Sequence, residues 1–300
     1  MALPPAVHLQ RRLSTRFAQL VVQLLSERDR ELLRRCQSSE GAGGTAWLTC
    51  LPTSHWTRLS DPQFRIAARL RLGLVPAPPP AGVVACNLRC NAADNPLADA
   101  PSHMVSCRRS MHSKGASTAR HKELGDAISF HLQAAGMAVY PEVKHLDEDR
   151  RTRPDFVVIS RDNEGKSVRI LTDHTIVNPM ASSRARTNVA ACLATVARKK
   201  HRKYDEAARR FDASLVPMVF STLGNIAPEA LQVLRLERVS GCDHAISVYG
   251  GRKRLVNDLI SAVSCAIQRG NAYIIEQHVQ MMRERVHAAY SDRDRPPGPV

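Results

Sequence analysis

Arg153-Pro154-Asp155 and, eighteen residues on, Asp173 place two carboxylates on two short β-branched runs, Pro154–Ile159 and Val168–Asp173. The polar stretch Arg161–Lys166 between them, with Gly165, reads as a hairpin turn. A hairpin with one carboxylate on each strand brings both to one end of a sheet. Two carboxylates so placed suit a hard divalent cation, Mg²⁺ or Mn²⁺, which takes oxygen ligands and keeps several waters. The chemistry to expect from such a centre is metal-assisted hydrolysis of a phosphodiester. Glu142, on the strand before Asp155, is either a third carboxylate for the cation or a solvated strand residue.

Hydrolysis also needs a cation near the leaving oxygen and a route for the proton of the attacking water. Asp173-His174-Thr175 has Thr where a Glu-x-Lys signature has lysine, so the ammonium must come from elsewhere. The nearest source is the run Lys199-Lys200-His201-Arg202-Lys203-Tyr204. On a helix, Lys200, Lys203 and Tyr204 share related faces at i, i+3 and i+4. Lys200 or Lys203 is then the candidate ammonium, with Tyr204 beside it, while Lys199, Arg202 and Arg153 are candidates for phosphate contact; the alternative is a basic face turned to water. Arg120-His121 open the helix preceding this core. Arg120 is a candidate phosphate clamp and His121 a phosphate contact or proton carrier, or the two form an exposed capping pair.

A second constellation is Cys86-x3-Cys90-x12-His103-x3-Cys107. Three thiolates and an imidazole are a donor set for tetrahedral structural Zn²⁺. The segment between the pairs is polar and turn-rich, so metal would supply folding energy that side chains do not. The remaining cysteines, Cys36, Cys50, Cys192, Cys242 and Cys265, have no such spacing and read as core or surface thiols.

The elements that must position these groups follow from periodicity and punctuation. An amphipathic helix is expected over 13–37, broken at Gly41–Gly44. Ser60-Asp61-Pro62 caps a helix over 63–72 that stops at Gly73, and the Pro-rich stretch 76–80 is a stiff linker. The Cys-rich loop spans 83–112. Ser117 or Thr118 caps a helix over about 119–136, followed by a strand over 137–145 and the two Asp-bearing strands. A long basic helix covers about 183–211. The strand 215–220 contains Pro217, which argues for a sheet edge or strand end. Helices near 227–237 and 253–289 close the chain, and 292–300 reads as a disordered tail. This order is α/β: a mixed sheet flanked by helices. It divides into a helical region 1–75, a knuckle segment 83–112, a nuclease-like core 117–225 and a helical extension 226–300.

Composition narrows the partner. Forty-three Lys+Arg against twenty-eight Asp+Glu give a net charge of +15 over 300 residues, which favours a polyanion, above all nucleic acid. Aromatics are only 4%, so base stacking is not expected to dominate binding. No run of eighteen apolar residues occurs and the N-terminus lacks a secretory pattern, so neither a membrane span nor export is expected. Reduced cysteines fit that reading.

Taken in order, these motifs resemble the C-terminal restriction-like endonuclease region, of PD-(D/E)XK type, of early-branching non-LTR retrotransposons. The resemblance covers roughly 45–225. Its Cys-Cys-His-Cys knuckle matches Cys86, Cys90, His103 and Cys107, its Arg-His pair Arg120 and His121, and its nuclease signature Arg153-Pro154-Asp155, Asp173, and Lys200 or Lys203 with Tyr204. Phe64–Gly73 resembles the helix that often precedes such knuckles, and Phe220–Gly224 the segment after the core. The resemblance implies a nuclear enzyme that nicks target DNA so that a free 3′ end primes reverse transcription, with DNA, and RNA of the parent element, as partners. No Tyr/Phe-x-Asp-Asp polymerase signature occurs, so no reverse transcriptase is expected within these residues. Two other readings stand beside the enzyme: an inactive nucleic-acid-binding remnant that keeps the zinc and the basic surface, and a helical partner-binding protein in which the Asp pair is fortuitous.

Overall fold

The β-branched runs pair into one four-stranded mixed sheet. A computed structural model describes residues 30–88, 90, 96–112, 115–141, 153–161, 165–181, 184, 187–238 and 242–293. Strands β1 (Ala138–Pro141), β2 (Phe156–Arg161), β3 (Ser167–Val177) and β4 (Ser214–Ser221) lie in the order β1-β2-β3-β4. The first three form an antiparallel meander, and β4 runs parallel to β3. A parallel neighbour requires a crossover, supplied here by the long basic helix α6 (Val189–Arg210). Pro217 sits on β4, which is an edge strand, where a missing N–H is tolerated.

Alternation along the strands sorts side chains onto two faces. On one face Phe156, Val158, Ile170, Val216 and Met218 bury against α5 (Ala116–Ala134), through Leu124, Ile128 and Leu132, and against α9 (Arg252–Arg293), through Leu255, Leu259, Val263 and Ile267. On the other face Val157, Leu171 and Leu215 meet Tyr204, Ala207 and Ala208 of α6 (Val189–Arg210), while Val177 and Val219 meet Val189, Leu193 and Ala197. The result is helix, sheet, helix: an α/β architecture with a buried sheet.

Helix α9 is the spine of the molecule. Its 42 residues span about 63 Å at 1.5 Å per residue. The N-terminal half completes the core on the sheet; the C-terminal half, through Ala272, Ile275, Val279 and Met282, joins a second core containing Ile66, Leu70, Cys86, Leu97, Met104 and Cys107. Ile66 and Leu70 come from α3 (Asp61–Leu72), with Ser60 as cap, Gln63 closing a capping box and Gly73 at φ 75° ending the helix. Cys86, Leu97, Met104 and Cys107 therefore pack against helices from far-apart parts of the chain, and a short helix α4 (Arg108–His112) follows Cys107.

Several boundaries differ from expectation. The glycines 41–44 do not break a helix but begin one, α2 (Gly41–Thr49), which follows α1 (Arg30–Ser38). A Cβ on Gly43 would lie 2.5 Å from the Gly224 carbonyl oxygen, so the glycines serve close backbone approach. Helix α5 starts at Ala116, after Gly115 at φ 68°, and neither Ser117 nor Thr118 caps it. Helix α6 begins at Val189, capped by Asn188, whose side chain accepts from the Ala191 N–H. The closing region holds α7 (Pro228–Leu234), an unforeseen short helix α8 (Asp243–Tyr249), and α9. Most of the expected helix 13–37, strand residues 142–145 and the tail from 294 lie outside the described residues.

Candidate active site and metal centre

The hairpin register carries the two carboxylates to one place. Phe156 pairs with Thr172, and the Asp155 N–H donates to the Thr172 carbonyl at 2.9 Å. Asp155 therefore sits just beyond the last pair of that ladder, at the same end of the sheet as Asp173. Helix α6 lies along the face from which Asp173 projects. Lys200 Nζ donates to both oxygens of Asp173, at 2.9 and 2.8 Å. Tyr204, one turn on and buried, donates to the Arg153 carbonyl at 3.2 Å and interacts with Asp173.

Asp155 is held from the opposite side by two histidines. His121 Nε2, from the second turn of α5 and half-buried, lies 2.9 Å from Asp155 Oδ1. The His174 backbone N–H donates to Asp155 Oδ2 at 2.6 Å, and His174 Nδ1 is 2.9 Å from the same oxygen. The two imidazoles stack, with centroids 3.7 Å apart and planes 18° apart. Phe156 stacks on the other face of His174 at 5.5 Å. His121, Asp155 and His174 each offer one ligand atom, all within 4.8 Å of one another, so the trio can hold a metal ion.

Electrostatics separate the two carboxyls. Burial pushes Asp155 up, but the hydrogen bonds and charges of His121 and His174 outweigh it and hold the group well below the usual carboxylate range. Burial, with the like charge of Asp155, raises Asp173 despite the pull of Lys200 and Tyr204. Burial and the two nearby carboxylates push Tyr204 upward, so it stays a phenol and a donor. A carboxylate fixed as an anion beside one that takes up a proton more readily is the kind of asymmetry found at hydrolytic centres.

The other sequence candidates take varied places. Lys203 Nζ does not engage a carboxylate; it donates to Tyr204 Oη at 2.8 Å and lies 4.5 Å over that ring. Of the two lysines, Lys200 is therefore the one at the acids. Arg153, before β2, and Lys199 and Arg202, midway along α6, are exposed. Glu142 lies outside the described residues. Arg120 is not an exposed clamp: it is 4% exposed and donates to Asn271 Oδ1 at 2.9 Å, and Asn271 donates in turn to the Thr222 carbonyl. Burial lowers this guanidinium to about 10. Helix spacing alone turns Arg120 away from its neighbour His121, toward α9, where Gly270 leaves room for its stem. Arg120→Ala should therefore destabilise the fold by about 2–4 kcal/mol, by orphaning Asn271 and opening a cavity. A thermal melt of that variant checks this; an unchanged midpoint would contradict the buried role.

The second cluster is compact. Cys90 Sγ lies 3.5 Å from Cys86 Sγ and 3.3 Å from His103 Nε2, and all four donor atoms fall within 4.8 Å of one another. Tetrahedral zinc with bonds of 2.0–2.3 Å needs donors about 3.5–3.8 Å apart, so the cluster can bind zinc. A bridge between Ala85 and Pro96 shapes the first arm, and a 3₁₀ turn at Pro101–Val105 presents His103. The hydrogen bond between the two buried thiols pushes Cys107 down and Cys86 up. Sequence reading missed His278 of α9. Its ring meets His103 edge-on at 5.8 Å, its Nδ1 lies 3.2 Å from Ser110 Oγ, and it helps keep Cys107 low.

No described helix is long and apolar enough to cross a membrane. No family model matches the chain, and no curated protein matches it significantly.

Proposed function

We propose that this chain is a metal-dependent DNA endonuclease of the restriction-like type, derived from a non-LTR retrotransposon and carrying a structural zinc knuckle. One observation carries the reading: Asp155 and Asp173 sit at the same end of neighbouring strands with the Lys200 ammonium bonded to Asp173. Carboxylates on paired strands with an ammonium between sheet and helix are what metal-assisted phosphodiester cleavage requires. The net charge of +15 and the exposed Arg153, Lys199 and Arg202 suit a duplex backbone, which such groups grip without reading sequence.

A divalent cation at Asp155, beside Asp173, would supply a more acidic water and neutralise charge on the scissile phosphate. The residues do the rest. Asp155, held as an anion by two histidines, keeps its oxygens aimed at the site. Lys200 stands where charge grows on the phosphoryl oxygens as the water oxygen bonds to phosphorus and the P–O3′ bond breaks. Tyr204 fixes the strand entering β2 through the Arg153 carbonyl and steadies Asp173. His121, 43% exposed and bonded to Asp155, holds that carboxylate in place.

Two assays on one preparation test the proposal. Supercoiled plasmid should be nicked when Mg²⁺ or Mn²⁺ is added, and plasmid binding should weaken steeply with salt. Salt-sensitive binding with no nicking under either ion would instead select an inactive nucleic-acid-binding remnant, and the absence of both would leave the partner-binding reading. Nuclear residence belongs to the same proposal, and the basic run Arg198–Lys203 is compatible with it.

A further inference from the structure

We propose that the ion at Asp155 is a first-row divalent transition metal, seated by His121 Nε2, Asp155 Oδ1 and His174 Nδ1, and that this seat favours Mn²⁺ over Mg²⁺. The inference rests on the nuclease reading only in taking the Asp155 ion as the one used for cleavage.

The argument begins with the tautomer of His174. Its Nε2 lies 2.8 Å from the His121 carbonyl oxygen, which only accepts, so Nε2 carries a proton. That leaves Nδ1 turned to the carboxylate, 2.9 Å from Asp155 Oδ2, on a ring 3% exposed. A metal ion held between nitrogen and carboxylate satisfies both groups; a second ring proton is the alternative, which a Mn²⁺ titration separates from it.

The ring is also built into place. A Cβ on Gly125 of α5 would lie 3.0 Å from His174 Cε1 and 2.9 Å from Phe156 Cζ, so the helix leaves space for this imidazole. Stacking between His121 and Phe156 fixes its plane. Ligands in adjacent positions around an ion with bonds near 2.1 Å lie about 3 Å apart. The 2.9 Å separations of His121 Nε2 and His174 Nδ1 from the Asp155 oxygens match that spacing. Two imidazoles and one carboxylate on one side of an ion leave the other positions open for water and phosphate oxygens. Imidazole nitrogen is a poor ligand for Mg²⁺ and a good one for transition metals. The proton now between His121 and Asp155 would leave as the metal enters.

The test uses the zinc-loaded full chain titrated with Mn²⁺ and followed by electron paramagnetic resonance. Mn²⁺ should bind with nitrogen couplings from directly bonded imidazole. His174→Gln keeps a donor for the His121 carbonyl but removes Nδ1; it should weaken Mn²⁺ by more than about tenfold and lose one nitrogen coupling. His121→Ala, at a half-buried position, should lose the other. Wild-type Mn²⁺ with oxygen ligands alone, or His174→Gln binding it as tightly as wild type, would overturn the seat and leave a doubly protonated His174 as the cation. The nuclease reading is judged separately. Asp155-dependent nicking without nitrogen ligation would sink only this inference, and nitrogen-bound Mn²⁺ without nicking would sink only the nuclease.

Discussion

Asp155→Asn should abolish DNA cleavage while leaving the protein folded and bound to DNA. Asp155 is the meeting point of the site: Oδ1 faces His121, and Oδ2 accepts the His174 N–H. The amide keeps the shape but loses the charge that binds a cation, and it places a donor against at least one of its present donors. The expected loss is at least about 10³-fold in rate, about 4 kcal/mol of barrier. Asp173→Asn should approach the same loss for a second reason. It strips Lys200 of its partner, so the ammonium is no longer fixed at 2.8–2.9 Å. Lys200→Met removes one preorganised cation and should cost about 10²–10³-fold. Lys203→Met should matter less, because that ammonium sits on Tyr204 and not on a carboxylate. Binding should persist in all of these, since Arg153, Lys199 and Arg202 are untouched. Cleavage rate measured beside plasmid retention on each variant decides the order; Asp155→Asn cutting at wild-type speed would remove Asp155 from the chemistry.

Cys107→Ser should release zinc and unfold a large part of the molecule. The segment from Cys86 to Cys107 has few apolar side chains, and those it has, Leu88, Leu97, Met104 and Val105, share a core with α3 and the C-terminal half of α9. A structural zinc contributes apparent binding energy of about 10–16 kcal/mol, comparable to the whole stability of a domain. Its loss would expose Ile66, Leu70, Ile275 and Met282 together. Wild type should hold one tightly bound zinc per chain, resist a weak chelator, and lose its upper thermal transition with a strong one. Cys107→Ser should show that lowered transition from the start. Equal zinc content and equal melting for the two proteins would mean that the cluster is a packing feature alone.

The sequence made the hairpin legible because two short β-branched runs flank a polar turn; the pairing of Phe156 with Thr172 then brings Asp155 and Asp173 to one end of the sheet. The sheet edge was legible from Pro217, and the knuckle from thiol spacing, which no other fold element explains. What escaped depends on contacts far apart in the chain. Arg120 reads as a surface cation until Asn271 and Gly270, some 150 residues later, receive it. Glycines 43 and 44 read as a break, but Gly224 lies too close to Gly43, and the Ser39 backbone too close to Gly44, for any side chain. His174 was visible only as the neighbour of Asp173. Its role emerges from the His121 carbonyl that fixes its tautomer and the missing Cβ of Gly125. The choice between Lys200 and Lys203 turned on helix phase, which a residue's uncertainty at the start of α6 would scramble; capping by Asn188 sets it. The C-terminal helix looked separable because its apolar stripe is self-contained, yet two different cores need it.

The most direct measurement is conversion of supercoiled plasmid to nicked circles by the zinc-loaded wild-type chain, with and without added Mn²⁺ or Mg²⁺, followed by polymerase extension from the nick. The account predicts nicks only when the ion is present, with 3′-hydroxyl ends that extend. Plasmid that stays supercoiled under both ions, while the protein demonstrably binds it, would contradict the claim that these carboxylates and this ammonium form a hydrolytic centre.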